Sequence, residues 1–132
     1  MYKIKFKYSL LKDIKTYFEI SRERKWLKKQ NIKVFGLSVS RFFKIIFNRP
    51  KIVLESDIPV TCYWVTNGTW GAYEDPNKII IMPFNLPDDM TLSELIKHEI
   101  MHLKHPEAED MDHKEKEKYI EEFEKVEKED IL

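Results

Sequence analysis

His98, Glu99 and His102 stand in the stretch LIKHEIMHLKH with the spacing H-E-x-x-H. On a helix, at about 100° per residue, the two histidines lie about 40° apart on one face, so both imidazoles can reach one ion. Glu99 lies beside that face, where its carboxylate can take a proton from metal-bound water and deliver it to a leaving amine. Leu92, Ile96, Ile100 and Leu103 form an apolar stripe pointing roughly 130° away, so the histidines do not serve as core fillers. All four histidines of the chain, His98, His102, His105 and His113, fall within sixteen residues. That clustering favours a metal site over two ordinary histidines on a Lys- and Glu-rich helix.

A hydrolytic zinc site has three protein ligands and an open position for water. The single Cys62 excludes an intramolecular disulfide and a cysteine-based cluster, so histidine and carboxylate must hold the metal, in what reads as a reducing compartment. His105 precedes Pro106, and three successive turns of one rigid helix cannot close on one ion. His113 reads as a solvated residue near a helix start. The third ligand is therefore expected from the final helix, whose apolar stripe is read as Tyr119, Ile120, Phe123 and Val126. On this reading Glu117 and Glu121 face outward, and Glu115 and Glu122 lie along one border. A short hairpin centred near residue 108 sets His102 level with Glu115, which is the expected ligand. A skewed crossing of the two helices would favour Glu122 instead.

The elements that must position these residues read as follows. YKIKFKY alternates with period two and predicts a strand burying Tyr2, Ile4, Phe6 and Tyr8. Ser9 caps a helix to about Gln30. NIKVFGLSVSRFFKIIFNRP fits either strand-turn-helix or a longer apolar helix, and Pro50 closes it. KIVLES is a possible strand. Residues 60–66, 69–74 and 78–82 predict an antiparallel meander turning at Asn67-Gly68 and Asp75-Pro76-Asn77, with KIIIMP as its edge strand. Thr91 and Glu94 form a capping box for the H-E-x-x-H helix, which Pro106 ends, and Asp112 with Glu115 offers a second box for the last helix. The expected fold is α+β in a single domain, 1–132. Within it a basic N-terminal extension (1–50) adds a strand and helices to a metallopeptidase-like core (51–132). That core comprises a small three-stranded antiparallel sheet, an active-site helix and a C-terminal glutamate helix.

Zero net charge hides an asymmetry. Residues 1–51 carry 15 Lys/Arg against 3 Asp/Glu, a balance of +12, and residues 52–132 carry 8 against 20, a balance of −12. The halves should attract, so self-complementarity, within one chain or between the two copies of a homodimer, is expected more readily than nucleic-acid contact. MYKIKFKYSLLKD lacks the apolar core of a secretion signal, and FFKIIF is too short to span a bilayer and carries Lys44, so no membrane partner is expected.

HEIMH following NKIIIMP, with a Glu-bearing helix after it, resembles the gluzincin metallopeptidases, most closely the minigluzincins, over about residues 60–127. The resemblance implies a cytoplasmic zinc-dependent peptidase with His98 and His102 as ligands and Glu99 as base. It also implies self-inhibition, often in a dimer, by a C-terminal segment. The expected function is hydrolysis of peptide bonds in a peptide or unfolded protein, with KIIIMP pairing to an extended substrate. The alternatives are a catalytically silent zinc-binding regulatory protein and a nucleic-acid-associated metallopeptidase. The apolar Ile131 and Leu132 at the end of EKEDIL suit an inhibitory tail, whose removal after Lys125 should raise activity.

Overall fold

A computed structural model describes residues 1–74 and 76–131, with side chains to residue 126. The expected roles of Asp75 in a turn and of Leu132 and the Ile131 side chain in a tail lie outside what the structure describes. The chain runs β1 (Tyr2–Lys3), β2 (Lys5–Tyr8), α1 (Leu10–Lys29), α2 (Val39–Asn48), β3 (Glu55–Ser56), β4 (Thr61–Trp64), β5 (Gly71–Glu74), β6 (Lys78–Ile81), α3 (Leu92–Lys104) and α4 (His113–Ile131). A short 3-10 turn, Pro106–Ala108, joins α3 to α4. The mixed α+β class agrees with the sequence. Among the described residues no helix is long and apolar enough to cross a membrane.

The sheet differs from the expected meander. Four strands lie in the order β2-β4-β6-β5, with β2 and β6 parallel to β4 and only β5 antiparallel to its neighbour, while β1 and β3 form a separate pair. The KIIIMP strand is therefore internal, and the two edge strands of this sheet are β2 and β5. Ile79, Ile80, Ile81 and Met82 are all buried, and such an unbroken apolar run marks a strand covered on both faces. Pro83 follows the strand's end, where its missing N–H removes no ladder bond.

Asn67-Gly68 is not a tight hairpin turn either. Gly68 (φ +104°) exchanges two 2.7 Å backbone hydrogen bonds with Phe35. The buried Asn67 donates to the Asp13 backbone carbonyl at 3.0 Å. Phe35 thus supplies a one-residue bridge, and Ser38 caps the short helix α2, which resolves the ambiguous stretch as strand-turn-helix in miniature. Gly68 also lies where an added Cβ would meet Thr16 Cγ2 of α1 at 2.5 Å.

The N-terminal half is woven into the core rather than appended to it. Phe6 stacks on the fully buried Trp64 of β4, and Ile4 and Ile45 join Ile79, Ile81 and Ile96 in one apolar cluster. Tyr2, expected inside, is exposed. Asp13, buried on α1, accepts from Thr66 N at 3.0 Å, Thr66 Oγ1 at 2.6 Å and Tyr8 OH at 3.0 Å. A buried carboxylate is tolerated only when its lone pairs are occupied, and here they are what fastens α1 to the sheet.

Helix α3 carries the predicted capping box. Thr91 Oγ1 accepts from Glu94 N at 3.1 Å, and the Glu94 side chain reaches back to Thr91 N at 3.4 Å. The cap contributes about 1 kcal/mol. Leu95, Ile96, Ile100 and Met101 are buried, each worth about 1.5–3 kcal/mol. Packing against β5 and β6, more than the cap, therefore fixes which face of α3 turns inward.

Asp13→Ala should destabilise the chain by about 2–3 kcal/mol, because it orphans the Thr66 and Asn67 donors. Urea unfolding with an unchanged midpoint would show that α1 is not anchored there.

Candidate functional site

Glu99 and His102 are buried and His98 is half-buried where α3 packs against α4 and β5. The Nε2 atoms of His98 and His102 lie 3.2 Å apart. Glu117 of α4 reaches both, with Oε2 at 2.7 Å from His98 Nε2 and Oε1 at 3.1 Å from His102 Nε2. Two ligands held at about 2.0–2.1 Å in tetrahedral array are about 3.3 Å apart, so the two imidazole nitrogens already stand at ligand spacing. The donor atoms of His98, His102 and Glu117 lie within 4.8 Å of one another, and this group could hold a metal ion.

Two further residues fix the rings. His98 donates from Nδ1 to the Glu124 carboxylate, which leaves Nε2 pointing into the cluster. Tyr73 of β5 lies flat on His102, with ring centroids 4.6 Å apart and planes within 8°, and its hydroxyl accepts from Lys116 Nζ at 3.2 Å. Burial, with the nearby Glu109 carboxylate, pushes the Tyr73 phenol well above its ordinary range.

The expected ligand Glu115 is not in this group: it is exposed, as is the alternative Glu122. The carboxylate that does stand beside the two histidines is Glu117, and this follows from the centre of α4's inner face. Ile120 is fully buried, packed with Met101 and Ala108, while Val126 is 53% exposed. The inner face is therefore centred on Ile120, with Lys116, Glu117, Phe123 and Glu124 about 40–60° to either side. Reading Tyr119 and Val126 as core displaced that centre by more than half a turn's quarter and moved the apparent border to Glu115. The seven-residue spacing of paired carboxylates was a usable signal, since Glu117 and Glu124 share it two positions further on.

His105 is kept out of the cluster, stacking on Phe123 at 3.8 Å and bonding Glu107 at 2.8 Å, and His113 packs edge-on against Trp26. Cys62 is buried in the core, and burial raises its thiol far above the ordinary range, so it offers no thiolate.

Charge in the metal-free pocket is held by protons. Burial opposes the charged form of His98, but Glu117 and Glu124 outweigh it and lift the imidazole to about 10. Burial likewise works against ionised Glu117, and hydrogen bonds from His102 and His98 override it and hold the carboxyl well below its usual range. Glu99 behaves oppositely: burial pushes it up to about 7, against the pull of His98 and His102. Gly71 makes room for it, since a Cβ there would lie 2.8 Å from Glu99 Oε1 and 2.9 Å from its Cγ. The site thus combines convergent donors with a carboxyl that titrates near neutrality.

Comparison with family models, with curated proteins and with solved structures finds no match to this chain.

Two outcomes follow from this geometry. Glu117→Gln should weaken binding of zinc, used as a probe ion, roughly 100-fold or more, and Glu124→Gln by about 10–100-fold through loss of ring orientation. Glu115→Gln should bind as the wild type does, and a defect in Glu115→Gln equal to that in Glu117→Gln would contradict the assignment. For the metal-free chain, His98 has its folded value above the unfolded 6.5, so its stabilisation is complete below pH 6.5 and is lost as pH rises through about 10. Chelated protein should lose on the order of 2 kcal/mol between pH 7 and 10.5, and His98→Ala should flatten that alkaline limb. Parallel profiles in denaturant melts of the two proteins would rule the pairing out.

Proposed function

We propose that the chain is a zinc-dependent metallopeptidase of gluzincin type, acting on extended or unfolded polypeptide. What carries this reading is the position of the buried Glu99 beside the His98, His102 and Glu117 donors, with β5 packed on the same group through Gly71 against Glu99 and Tyr73 against His102. Two imidazole nitrogens and one carboxylate oxygen suit zinc, and hard cations such as calcium prefer all-oxygen sites. His98, His102 and Glu117 would hold the ion, which when bound supplies Lewis acidity to a carbonyl oxygen and to water.

The chain's own groups perform the remaining work. Glu99, with a carboxyl near neutrality, accepts a proton from the attacking water at a side-chain oxygen and returns it to the departing amine nitrogen. Glu124 holds the His98 ring, and Tyr73 holds that of His102. Among the described residues β5 pairs with no strand other than β6, so its outer edge can receive a substrate strand. The substrate edge is thus β5, where the sequence had suggested KIIIMP.

Glu99→Gln should keep the metal and lose at least about 100-fold in turnover of a casein-like unfolded substrate, since the residue acts as base and not as ligand. Metal retention in both proteins with equal turnover would contradict the base assignment. Zinc-loaded protein that cleaves nothing above the Glu99→Gln background would favour a catalytically silent zinc protein.

A further inference from the structure

Helix α2 is amphipathic and sits the unexpected way round. Its contacts with the body are made by Ile45, which is fully buried, by Phe42, which meets the Tyr8 ring edge-on, by Arg41, which donates to the carbonyls of Thr66 (2.8 Å) and Gly36, and by Lys44, whose ammonium lies 5.7 Å from the Phe84 ring centre. The apolar side faces away: Val39 is 73% exposed, Phe43 51% and Phe47 78%. Helix α1 behaves likewise, anchored by Asp13 and presenting Leu11 and Phe18 outward at 80% and 58% exposure. Between the two helices runs an open trough of about 480 Å³ whose floor, at Tyr8, Asp13 and Thr66, has its polar groups bonded to one another. An apolar surface of this extent on a folded chain marks a place where something else covers it.

Charge decides what that is. The half of the chain that bears this face carries the +12 balance, and by helical position Arg22, Lys25 and Lys29, all exposed, lie on the same side of α1 as Leu11 and Phe18. A second copy meeting the face about a two-fold axis would press one +12 half onto another. A second copy offering its acidic half would bring, among the described residues, only Val53 and Val126 as exposed large apolar side chains. Nucleic acid would satisfy the lysines and leave Leu11, Phe43 and Phe47 in water. A bilayer surface rich in anionic headgroups meets both demands at once, with phosphate and carboxylate at the level of the cations and acyl chain beneath for the aromatic side chains.

We infer that the outward face of α1 and α2 docks the chain onto anionic lipid surfaces, with Phe43 and Phe47 inserted at the headgroup boundary. The lack of a spanning helix, on which the expectation of no membrane partner rested, does not bear on surface binding. The inference is independent of the metal reading, since its residues lie outside the pocket of α3, α4 and β5.

The test is vesicle flotation of the full chain, with phosphatidylcholine alone and with phosphatidylcholine containing about one-third phosphatidylserine. The full chain should float with the anionic vesicles only, and about 0.5 M NaCl should release most of it. Phe43→Ser and Phe47→Ser together should lower the bound fraction roughly tenfold or more, with an unchanged circular dichroism spectrum, because both rings are exposed. The inference is overturned if the full chain stays in solution with both vesicle types, or if the double variant floats as the wild type does. A stable oligomer that fails to float, and that the same two substitutions dissociate, also overturns it and assigns the face to a second copy.

Discussion

Three lone-pair donors cannot share a buried pocket unless positive charge lies among them. His98, His102 and Glu117 converge to between 2.7 and 3.2 Å, and Glu124 closes on the far side of the His98 ring. In the metal-free chain that charge is a proton on His98, whose affinity for it Glu117 and Glu124 raise well above that of a free imidazole. On the proposed reading a divalent ion would fill the same electrostatic need more fully, and its binding would displace the proton. The hairpin of α3 and α4 is organised around this need. Met101, Ala108 and Ile120 bring the helices together, and Tyr73 roofs His102 from the sheet.

Glu99 shows the other side of the same physics. It shares the pocket with the cation yet is the residue whose carboxyl is raised, because burial dominates and its contact with β5 is close enough to require glycine at position 71. Glu117 and Glu99 are both glutamates beside the same histidines, and their environments drive them in opposite directions. Such divergence is what acid–base chemistry beside a Lewis acid requires.

Much of this was legible in the sequence, and the failures have identifiable causes. His98, Glu99 and His102 could be placed because helical periodicity puts i and i+4 on one face regardless of tertiary context, and the Thr91 capping box fixed where that helix begins. Ser9 and the first strand were legible for similar local reasons. The partner on α4 was not, because the inward face of a Lys/Glu-rich helix is set by one fully buried residue, Ile120, and exposed Val126 carried equal weight in the pattern. The strand order failed for a non-local reason. Asn67-Gly68 has the composition of a hairpin turn, but its backbone and amide are taken up by Phe35 and Asp13, more than thirty residues upstream. The unbroken apolar run of β6 was the available sign that this strand lies inside the sheet.

The central claim is that one ion is bound by His98, His102 and Glu117 together. Anomalous diffraction from zinc-loaded crystals, collected on either side of the zinc absorption edge, tests it most directly. The account predicts one strong peak per chain, at bonding distance from Nε2 of His98, Nε2 of His102 and a carboxylate oxygen of Glu117. A peak centred on Glu115, His105 or His113, or full zinc loading with no peak in this pocket, would contradict it.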